Sequence, residues 1–242
     1  MLGERGLNLV TLARRADVLE EDAKMLRRRH RIEVRPVALD LAAPDLGIRF
    51  ARAIDGLDVG MLVYNAAYSP IGEFTDVPVD EHVRTLDVNC RGPMLLAQHV
   101  APRLVARRRG GIILMSSMSG FQGSALLATY AATKAFNTTF AEGLWIELAP
   151  KGVDALCCVA GAVSTPRFNR VTPEGKRGKA FPMRPDAVVR EALSALGRKP
   201  THIAGRVNRL GSLFTGLMTR KRRVEFFSGV TRDIYSDARV SK

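Results

Sequence analysis

Two side chains that could move a proton, Tyr130 and Lys134, lie four residues apart in this sequence. Residues i and i+4 share one face of a helix, so the phenol and the ammonium should project together. Ser117 lies upstream of them, just after the apolar run GIILM. A hydroxyl there can hydrogen-bond a substrate oxygen and steady the charge that builds on it. The three residues therefore predict proton donation to a carbonyl oxygen.

The pKa of the phenol decides whether this chemistry works near neutral pH. A free tyrosine has a pKa of ~10, too high for efficient proton transfer at pH 7. A neighbouring ammonium favours the phenolate, and a pKa near 7 requires roughly 4 kcal/mol of differential interaction. We expect Lys134 to supply that interaction. The plainer interpretation is an amphipathic helix with an interfacial tyrosine and a solvated lysine, and the four-residue spacing taken alone favours it.

Three further motifs distinguish these interpretations. They are VYNAA at the end of one apolar run, DVNCRG within a long helical pattern, and AGAVSTP after another apolar run. In this order and spacing, with the serine, tyrosine and lysine, they resemble the short-chain dehydrogenase/reductase family. The resemblance runs from about Gly3 to about Pro200. It implies an NAD(P)-dependent oxidoreductase that interconverts a ketone and a secondary alcohol.

The resemblance implies catalytic roles for four residues. Tyr130 would be the general acid/base, Lys134 would lower its pKa and bind the nicotinamide ribose, and Ser117 would orient the carbonyl. Asn89 would hold a water molecule through its backbone carbonyl. Pro93 offers an independent reason, because it has no N–H and so leaves the Asn89 carbonyl without its helical donor. A proline kink without any function is the alternative.

The resemblance also implies a set of dinucleotide-binding residues near the ends of successive strands. Those near the adenine are Asp40, Leu41 and Val88, those lining the ribose are Asn65 and Ala66, and those holding the nicotinamide carboxamide are Val163 and Thr165. The chain has Ala160 before Gly161 where the family has a Pro-Gly pair, which loosens the turn because alanine does not fix φ. From the residues alone, Asp40 reads better as a turn or cap residue.

The end of the first predicted strand indicates which dinucleotide binds. An NAD-binding protein would carry an acid there for the ribose 2′-hydroxyl. Here the sequence is TLARRAD, with Ala13 near that position and Arg14 and Arg15 after it. A guanidinium binds a 2′-phosphate through paired hydrogen bonds. We therefore predict NADP(H) rather than NAD(H), with Arg14 as a ligand; two arginines at a helix start that face water are the alternative.

Apolar runs alternate with helical patterns along the chain, which predicts an α/β, Rossmann-like doubly wound parallel sheet. The predicted strands are LNLVTLA, VRPVALD, GMLVYN, IILMS, VDALCCV and THIAG. The predicted helices span residues 17–29, 44–54, 79–105, 128–148 and 186–196. Residues 1–200 would form the core, and residues 201–242 would add a final strand and a basic helical extension of the same domain.

The chain starts at what resembles the family's second strand, so the first βα unit is missing. Family members open with a strand, a Thr-Gly-x3-Gly-x-Gly turn and a helix, and that turn holds the cofactor pyrophosphate. The missing strand would lie between LNLVTLA and GMLVYN, which should each expose an edge or else pair together. Two explanations stay open. Met1 is an internal methionine of a longer protein, which the intact later motifs favour, or the chain is a truncated and impaired relative.

Composition excludes several classes of protein. The chain has 242 residues with 46% hydrophobic content, which suits one folded domain. No stretch approaches the roughly 18 apolar residues of a membrane span. The N-terminus lacks a signal-peptide pattern, and the three cysteines lack metal-ligand spacing, so we predict a cytoplasmic protein without a metal. The net charge of +13 is dispersed in short arginine clusters and predicts no nucleic-acid partner.

The substrate is expected to be a small lipophilic molecule. Six apolar residues could line its pocket, although all of them also suit ordinary packing: Tyr68, Phe121, Leu126, Phe168, Phe181 and Met183. The tail GSLFTGLMTRKRR places an apolar segment before a basic cluster. Such a helix could lie on anionic lipid, giving peripheral membrane contact, or could simply close the pocket.

The resemblance also bears on the oligomeric state, and the missing glycine turn leaves a second function open. Helices around Asn89 and Tyr130 form the dimer interface in many relatives, so a homo-oligomer is expected by analogy. The rival function is a catalytically impaired protein that kept the scaffold as a dinucleotide-sensing or partner-binding module. The missing glycine turn favours that rival, and the complete set of four catalytic residues argues against it.

Overall fold

The computed structural model describes residues 1–235 and has the expected α/β, Rossmann-like architecture. Its strands are β1 (Leu9–Ala13), β2 (Val34–Ala38), β3 (Met61–Tyr64), β4 (Gly111–Ser117), β5 (Asp154–Ala160) and β6 (Thr201–Ile203). All strand pairs are parallel. They form a two-stranded sheet, β1-β2, and a four-stranded sheet, β3-β4-β5-β6. Residues 236–242 of the predicted basic extension lie outside the described part.

Helices connect the strands. Those before β4 are α1 (Ala16–His30), α2 (Leu46–Ala53), α3 (Val79–Leu86) and α4 (Gly92–Ala106). Those after β4 are α5 (Ala128–Leu148), α6 (Pro166–Val171), α7 (Glu174–Arg177), α8 (Pro185–Ala195), α9 (Arg206–Gly216) and α10 (Arg220–Tyr235). α5 has the predicted bounds, and the predicted basic helical extension corresponds to α9 and α10.

The helix predicted over residues 79–105, with bends at Pro93 and Pro102, is interrupted just before Pro93. α3 and α4 are separated by a π-helical turn, Asp87–Arg91, in which the Gly92 N–H donates to the Asp87 carbonyl five residues back. Pro93 follows immediately and has no N–H for the usual bond to a carbonyl four residues back. The wider turn accommodates that missing donor within a continuous helical path.

The strands β4 and β5 form the buried centre of the larger sheet. Their apolar residues are almost all inaccessible to water, as expected for parallel strands covered on both faces. One face packs against α4 and α5 through side chains that include Val100, Leu104 and Leu114. The other face packs against α8 through Leu156 and Val188. Helices on both faces make the sheet doubly wound.

β1 and β3 do not pair with each other among the described residues. Successive peptide groups in a strand point to opposite sides. Because alternate residues of β1 bond to β2, the peptide groups of Val10 and Leu12 point away from β2. The peptide groups of Met61 and Val63 likewise face away from β4, and the Val63 side chain is 42% exposed. Each strand keeps one unpaired edge, which is the first of the two predicted outcomes.

Candidate active site

β4 and α5 bring the serine, tyrosine and lysine together. Ser117 is the last residue of β4, and its hydroxyl accepts a hydrogen bond from the Ser119 N–H at 3.2 Å. The chain then makes a short 3-10 turn that lies directly on α5. A Cβ at Gly120 would come within 2.7 Å of the Lys134 backbone carbon, so only glycine allows this approach. Tyr130 and Lys134 occupy the first two turns of α5, on the same face, as predicted.

Lys134 is a buried cation with only 3% of its surface exposed. Its Nζ donates to the Met115 carbonyl of β4 at 2.9 Å and lies 5.6 Å from the centre of the Tyr130 ring. Its own carbonyl accepts from the Ser116 hydroxyl at 2.7 Å. Burial lowers the pKa of the ammonium to about 8. An ammonium has three donors, so N–H groups remain for acceptors that a ligand would bring.

The expectation that Lys134 lowers the pKa of Tyr130 is not met in this structure. Burial raises the pKa of the Tyr130 phenol, because the phenolate would lose its hydration. The hydrogen-bonding interaction with Ser117 acts in the opposite direction, Tyr235 raises the pKa further, and Arg167 lowers it. Lys134 is not among the groups that shift it, and its Nζ bonds to a strand carbonyl instead. The phenol is therefore protonated at neutral pH.

Asn89 is fully buried in the π-helical turn, and its side chain has a structural role that sequence reasoning missed. Its Oδ1 accepts from the Tyr68 N–H at 2.8 Å, and its Nδ2 donates to the Tyr68 carbonyl at 2.8 Å. The same Nδ2 donates to the Thr133 hydroxyl at 3.0 Å, which donates in turn to the Tyr130 carbonyl at 2.8 Å. These bonds tie the loop after β3 to α5. The role of the Asn89 carbonyl in holding water stays a prediction.

The predicted dinucleotide-binding residues follow the carboxyl ends of successive strands. Ligands of open α/β sheets bind at this edge. By position, Arg14 follows β1; Asp40 and Leu41 follow β2; Asn65 and Ala66 follow β3; Val163 and Thr165 follow β5. Val88 lies in the π-helical turn, buried, with its carbonyl accepting from the Tyr64 hydroxyl at 2.5 Å. Seven of the predicted residues thus follow the carboxyl ends of strands, and Val88 is joined to the end of β3 through Tyr64.

Asp40 already has protein partners. One carboxylate oxygen accepts from the Ala42 N–H at 3.0 Å and the other from the Arg84 guanidinium at 2.8 Å. Burial would raise the pKa of this carboxyl, but the two hydrogen bonds and the charges of Arg84 and Arg14 lower it overall. These contacts give Asp40 the turn role that its residue type favoured. The sequence contained no signal for Arg84, because the pairing joins residues far apart in the chain.

The turn after β5 is held by hydrogen bonds, although it has alanine at position 160 where the family has proline. Val163 pairs with Met183, whose N–H donates to the Ala162 carbonyl at 2.9 Å. The Thr165 hydroxyl accepts from the Phe168 N–H at 3.2 Å and caps α6. Added hydrogen bonds thus replace the constraint that proline would impose.

α10 lies over the segment that joins Ser117 to Tyr130. The Ser228 hydroxyl accepts from the Ala125 N–H at 3.1 Å, and the hydroxyls of Thr231 and Ser124 are 2.7 Å apart. Of the six predicted pocket residues, Leu126 lines a small cavity that reaches Tyr130, whereas Phe181 is 66% exposed. The other residues of that cavity are Pro70, Gly72, Phe74, Val77, His82, Leu127, Ala128 and Thr129.

The hydrogen-bond donors at this edge of the sheet suit some of the groups of a nicotinamide dinucleotide. A buried ammonium with spare donors, Lys134, suits sugar hydroxyls, and an exposed guanidinium at the end of β1, Arg14, suits a phosphate. The glycine-rich turn that holds a pyrophosphate is not found between any strand and helix of residues 1–235. Over the same residues, no group of histidine, cysteine and acidic side chains forms a metal site.

Residues 1–176 match the family model described as short chain dehydrogenase. The chain belongs to this family, and it is an NAD(P)-dependent oxidoreductase of the kind that interconverts ketones and alcohols. None of the helices in residues 1–235 is long and apolar enough to span a membrane.

Relatives and solved structures agree with this assignment. The 7β-hydroxysteroid dehydrogenase of Clostridium sardiniense is 32% identical over 208 residues, covering 86% of this chain and 80% of the relative. A solved 7β-hydroxysteroid dehydrogenase superposes with a TM-score of 0.87 at 27% identity, covering 94% of this chain and 89% of that one. The bulky-bulky ketone specific alcohol dehydrogenase of Comamonas testosteroni has a TM-score of 0.71 at 28% identity, covering 90% and 86%.

A further solved relative contains a dinucleotide. The short-chain dehydrogenase of Sphingobium yanoikuyae, in complex with NADPH, has a TM-score of 0.75 at 25% identity and covers 100% of this chain and 90% of that one.

Proposed function

We propose that this protein is an NADP(H)-dependent reductase of a bulky, lipophilic ketone, with Tyr130 as the general acid. The observation that carries the proposal is the arrangement of Ser117, Tyr130 and Lys134. The serine ends the central strand, the phenol and the ammonium share a helix face, and the lysine Nζ lies 5.6 Å from the ring centre. A substrate oxygen placed between the serine and the phenol can accept hydrogen bonds from both.

The dinucleotide supplies or accepts the hydride when it is bound. Ser117 hydrogen-bonds the substrate oxygen and fixes its position at the end of β4. Tyr130 donates its proton to that oxygen as negative charge develops. The raised pKa keeps the phenol protonated at neutral pH, so the proton is present, and its transfer requires stabilisation of the phenolate once dinucleotide and substrate are bound. The ammonium of Lys134, which does not shift the pKa of Tyr130 in this structure, would supply that stabilisation through contacts made in the loaded enzyme.

Replacing Tyr130 with Phe tests the role of the phenol. The ring and its packing remain while the proton donor is lost, so kcat should fall by about 10²–10⁴-fold. NADPH binding, followed by the fluorescence of the dinucleotide, should change little. Tyr68→Phe is the matched control, because that phenol bonds to Glu81 rather than to the serine. Full activity in Tyr130→Phe would reject the proposal, and NADPH binding without turnover by the unaltered protein would favour the dinucleotide-sensing alternative.

The preference for NADP(H) is proposed on the charge at the end of β1. Arg14 is exposed there, and its charge helps to lower the pKa of Asp40, so it lies on the side of the sheet that carries the predicted ribose site. Arg14→Ala should raise the KM for NADPH by about 10-fold or more and leave the KM for NADH nearly unchanged. Arg15→Ala is the control. An equal effect of Arg14→Ala on both dinucleotides would contradict this preference.

The substrate class is proposed from the relatives. Two relatives act, by name, on a hydroxysteroid and on bulky-bulky ketones. We expect steroid-sized or diaryl ketones to give higher kcat/KM values than small methyl ketones at matched concentrations. A clear preference for small polar ketones would contradict the assignment.

A homo-oligomer is proposed on the exposed apolar side chains near the active-site helices. They lie on α3, α4 and α5 and comprise Val79, Val83, Leu86, Met94, Phe136 and Ile146. Surface patches of this kind mark association sites. Analytical ultracentrifugation of the protein and of Ile146→Glu should show a larger species that the substitution weakens. A monomer at all concentrations would reject this part.

A further inference from the structure

One helix on the surface presents large apolar side chains to solvent. Val207, Leu210 and Phe214 of α9 and Leu217 at its C-cap recur at i, i+3, i+7 and i+10 and so form one stripe. They are 58%, 67%, 66% and 88% exposed, and Leu213 beside them is 71% exposed. We call these five residues the α9 stripe. Contiguous exposed apolar surface of this kind marks an interaction site.

The opposite side of α9 is fixed to the rest of the protein. Asn208 donates to the Ala204 carbonyl at 2.7 Å, and its side chain lies where a Cβ on Gly161 would be. Arg209 donates to the Glu191 carboxylate at 2.7 Å and to a carbonyl of β6 at 2.9 Å. The helix therefore cannot rotate to bury the α9 stripe in its own core without breaking these bonds.

Cations lie directly after the α9 stripe. Residues 220–223 are Arg-Lys-Arg-Arg, and we call them the basic cluster. Arg220, Lys221 and Arg222 are exposed, and Arg223 is partly so. Together α9 and α10 carry seven basic and only two acidic residues. An apolar stripe next to several cations is the pattern of a helix that lies in the interface of an anionic bilayer.

We propose that the α9 stripe and the basic cluster dock this protein on the surface of an anionic membrane. The stripe would enter the boundary between headgroups and acyl chains, and the cluster would bind acidic headgroups. A second copy of the chain fits less well, because symmetric pairing of this face would bring two basic clusters together. The docking rests on this surface alone and does not depend on the proposed function.

The proposed docking surface lies close to the proposed active site. α10 begins with the basic cluster and continues over the segment between Ser117 and Tyr130. A membrane bound at this corner would lie close to the segment that α10 covers, so a lipophilic ketone dissolved in the bilayer could reach the proposed active site directly. This last step rests on the proposed function.

Co-sedimentation with vesicles tests the docking without any need for turnover. The full chain should sediment with vesicles of phosphatidylcholine containing about 30% phosphatidylserine and remain in solution with phosphatidylcholine alone. Lys221→Gln/Arg222→Gln should weaken the binding by on the order of tenfold or more, because each cation near an anionic surface contributes. The matched control is Arg28→Gln/Arg29→Gln, which removes the same charge from two exposed arginines of α1.

The apolar contribution is tested by a second pair of variants. Leu213→Ser/Leu217→Ser should also abolish most of the binding, whereas Met25→Ser/Ile48→Ser, which alters two exposed apolar residues elsewhere, should not. Circular dichroism of every variant confirms the fold. Equal losses in the test and control variants would show general attraction by the net charge and overturn the proposal. No sedimentation of the parent protein, or conversion of an oligomer to a monomer by Leu213→Ser/Leu217→Ser, would also overturn it.

Discussion

Different kinds of contact hold the centre of the four-stranded sheet and the β1–β2 unit in place. β4 is bonded along both edges, to β3 and β5, and the segment after it lies on the backbone of α5. Within residues 1–235, β1 and β2 pair with no other strand. Side chains tie them to the rest, including Arg91, whose guanidinium donates to the Ala42 and Ala43 carbonyls at 2.9 Å each. Backbone hydrogen bonds thus hold the strand that ends at Ser117, whereas side-chain contacts help to hold the predicted adenine end.

Native-state hydrogen exchange should show the largest contrast between the two regions. The peptide N–H groups of Val10 and Leu12 point away from β2, whereas those of Leu156 and Cys157 lie in a buried, fully paired strand. The N–H groups of Leu156 and Cys157 should exchange mainly through global unfolding. The unpaired N–H groups of Val10 and Leu12 should exchange through small local motions. We expect protection factors to differ by more than about 1,000-fold when measured by NMR. Similar protection in both strands would show that the β1–β2 unit opens only with the whole domain.

Lys134→Met should stabilise the protein while removing its activity. The pKa of Lys134 is lowered from 10.5 to about 8, which corresponds to roughly 3 kcal/mol of cost for the charged form in the folded state. Loss of the donor to the Met115 carbonyl offsets about 1 kcal/mol of the gain. We therefore expect the free energy of unfolding at pH 7 to rise by about 2 kcal/mol, measured by urea denaturation.

The pH dependence of this effect has a definite sign. Between pH 8 and 10.5 the unfolded chain binds the proton more strongly than the folded one, so the unaltered protein gains stability as the pH rises. The advantage of the methionine variant should therefore be largest below pH 8 and disappear above about pH 10.5. Lys151→Met, at an exposed position, is the control. A pH-independent advantage would mean that better apolar packing, rather than the buried charge, is responsible.

Arg91→Met should have a smaller and more local effect. It removes the two bonds to the loop after β2 as well as the ion pair with Asp87 at 2.7 Å. Hydrogen bonds from a charged group each contribute a modest net amount, so we expect a loss of about 2 kcal/mol or less. Exchange should accelerate in β1 and β2 and remain unchanged in β4 and β5. Arg28→Met is the control, and uniform acceleration would contradict the division into two differently supported regions.

The sequence predicted the elements that long, regular patterns determine. α5 has the bounds that its pattern indicated, and β4 extends only one residue beyond the run IILMS at each end. The common helix face of Tyr130 and Lys134 followed from the four-residue spacing, and the end of β4 placed Ser117 beside them. These features depend on local periodicity, which the chain shows directly.

Other features depend on contacts between distant segments and could not be predicted. The direction of the Tyr130 pKa shift follows from desolvation, and spacing alone does not reveal how much water a fold removes. The Asp40–Arg84 pair and the bonds of the Asn89 side chain each join residues at least 21 positions apart. Pro93 was recognised as a missing donor, but the π-helical turn beside it required the packed structure.

The contacts of α10 have a practical consequence for handling this protein. Arg220 donates to the Phe121 carbonyl at 2.9 Å, and Tyr235 is close enough to affect the pKa of Tyr130. Changes to α10 would therefore alter the surroundings of Tyr130. Trypsin cleaves after exposed arginines and lysines such as Arg220, Lys221 and Arg222, and a sample nicked there would keep its sheet while losing contacts between α10 and the segment before Tyr130, the proposed general acid.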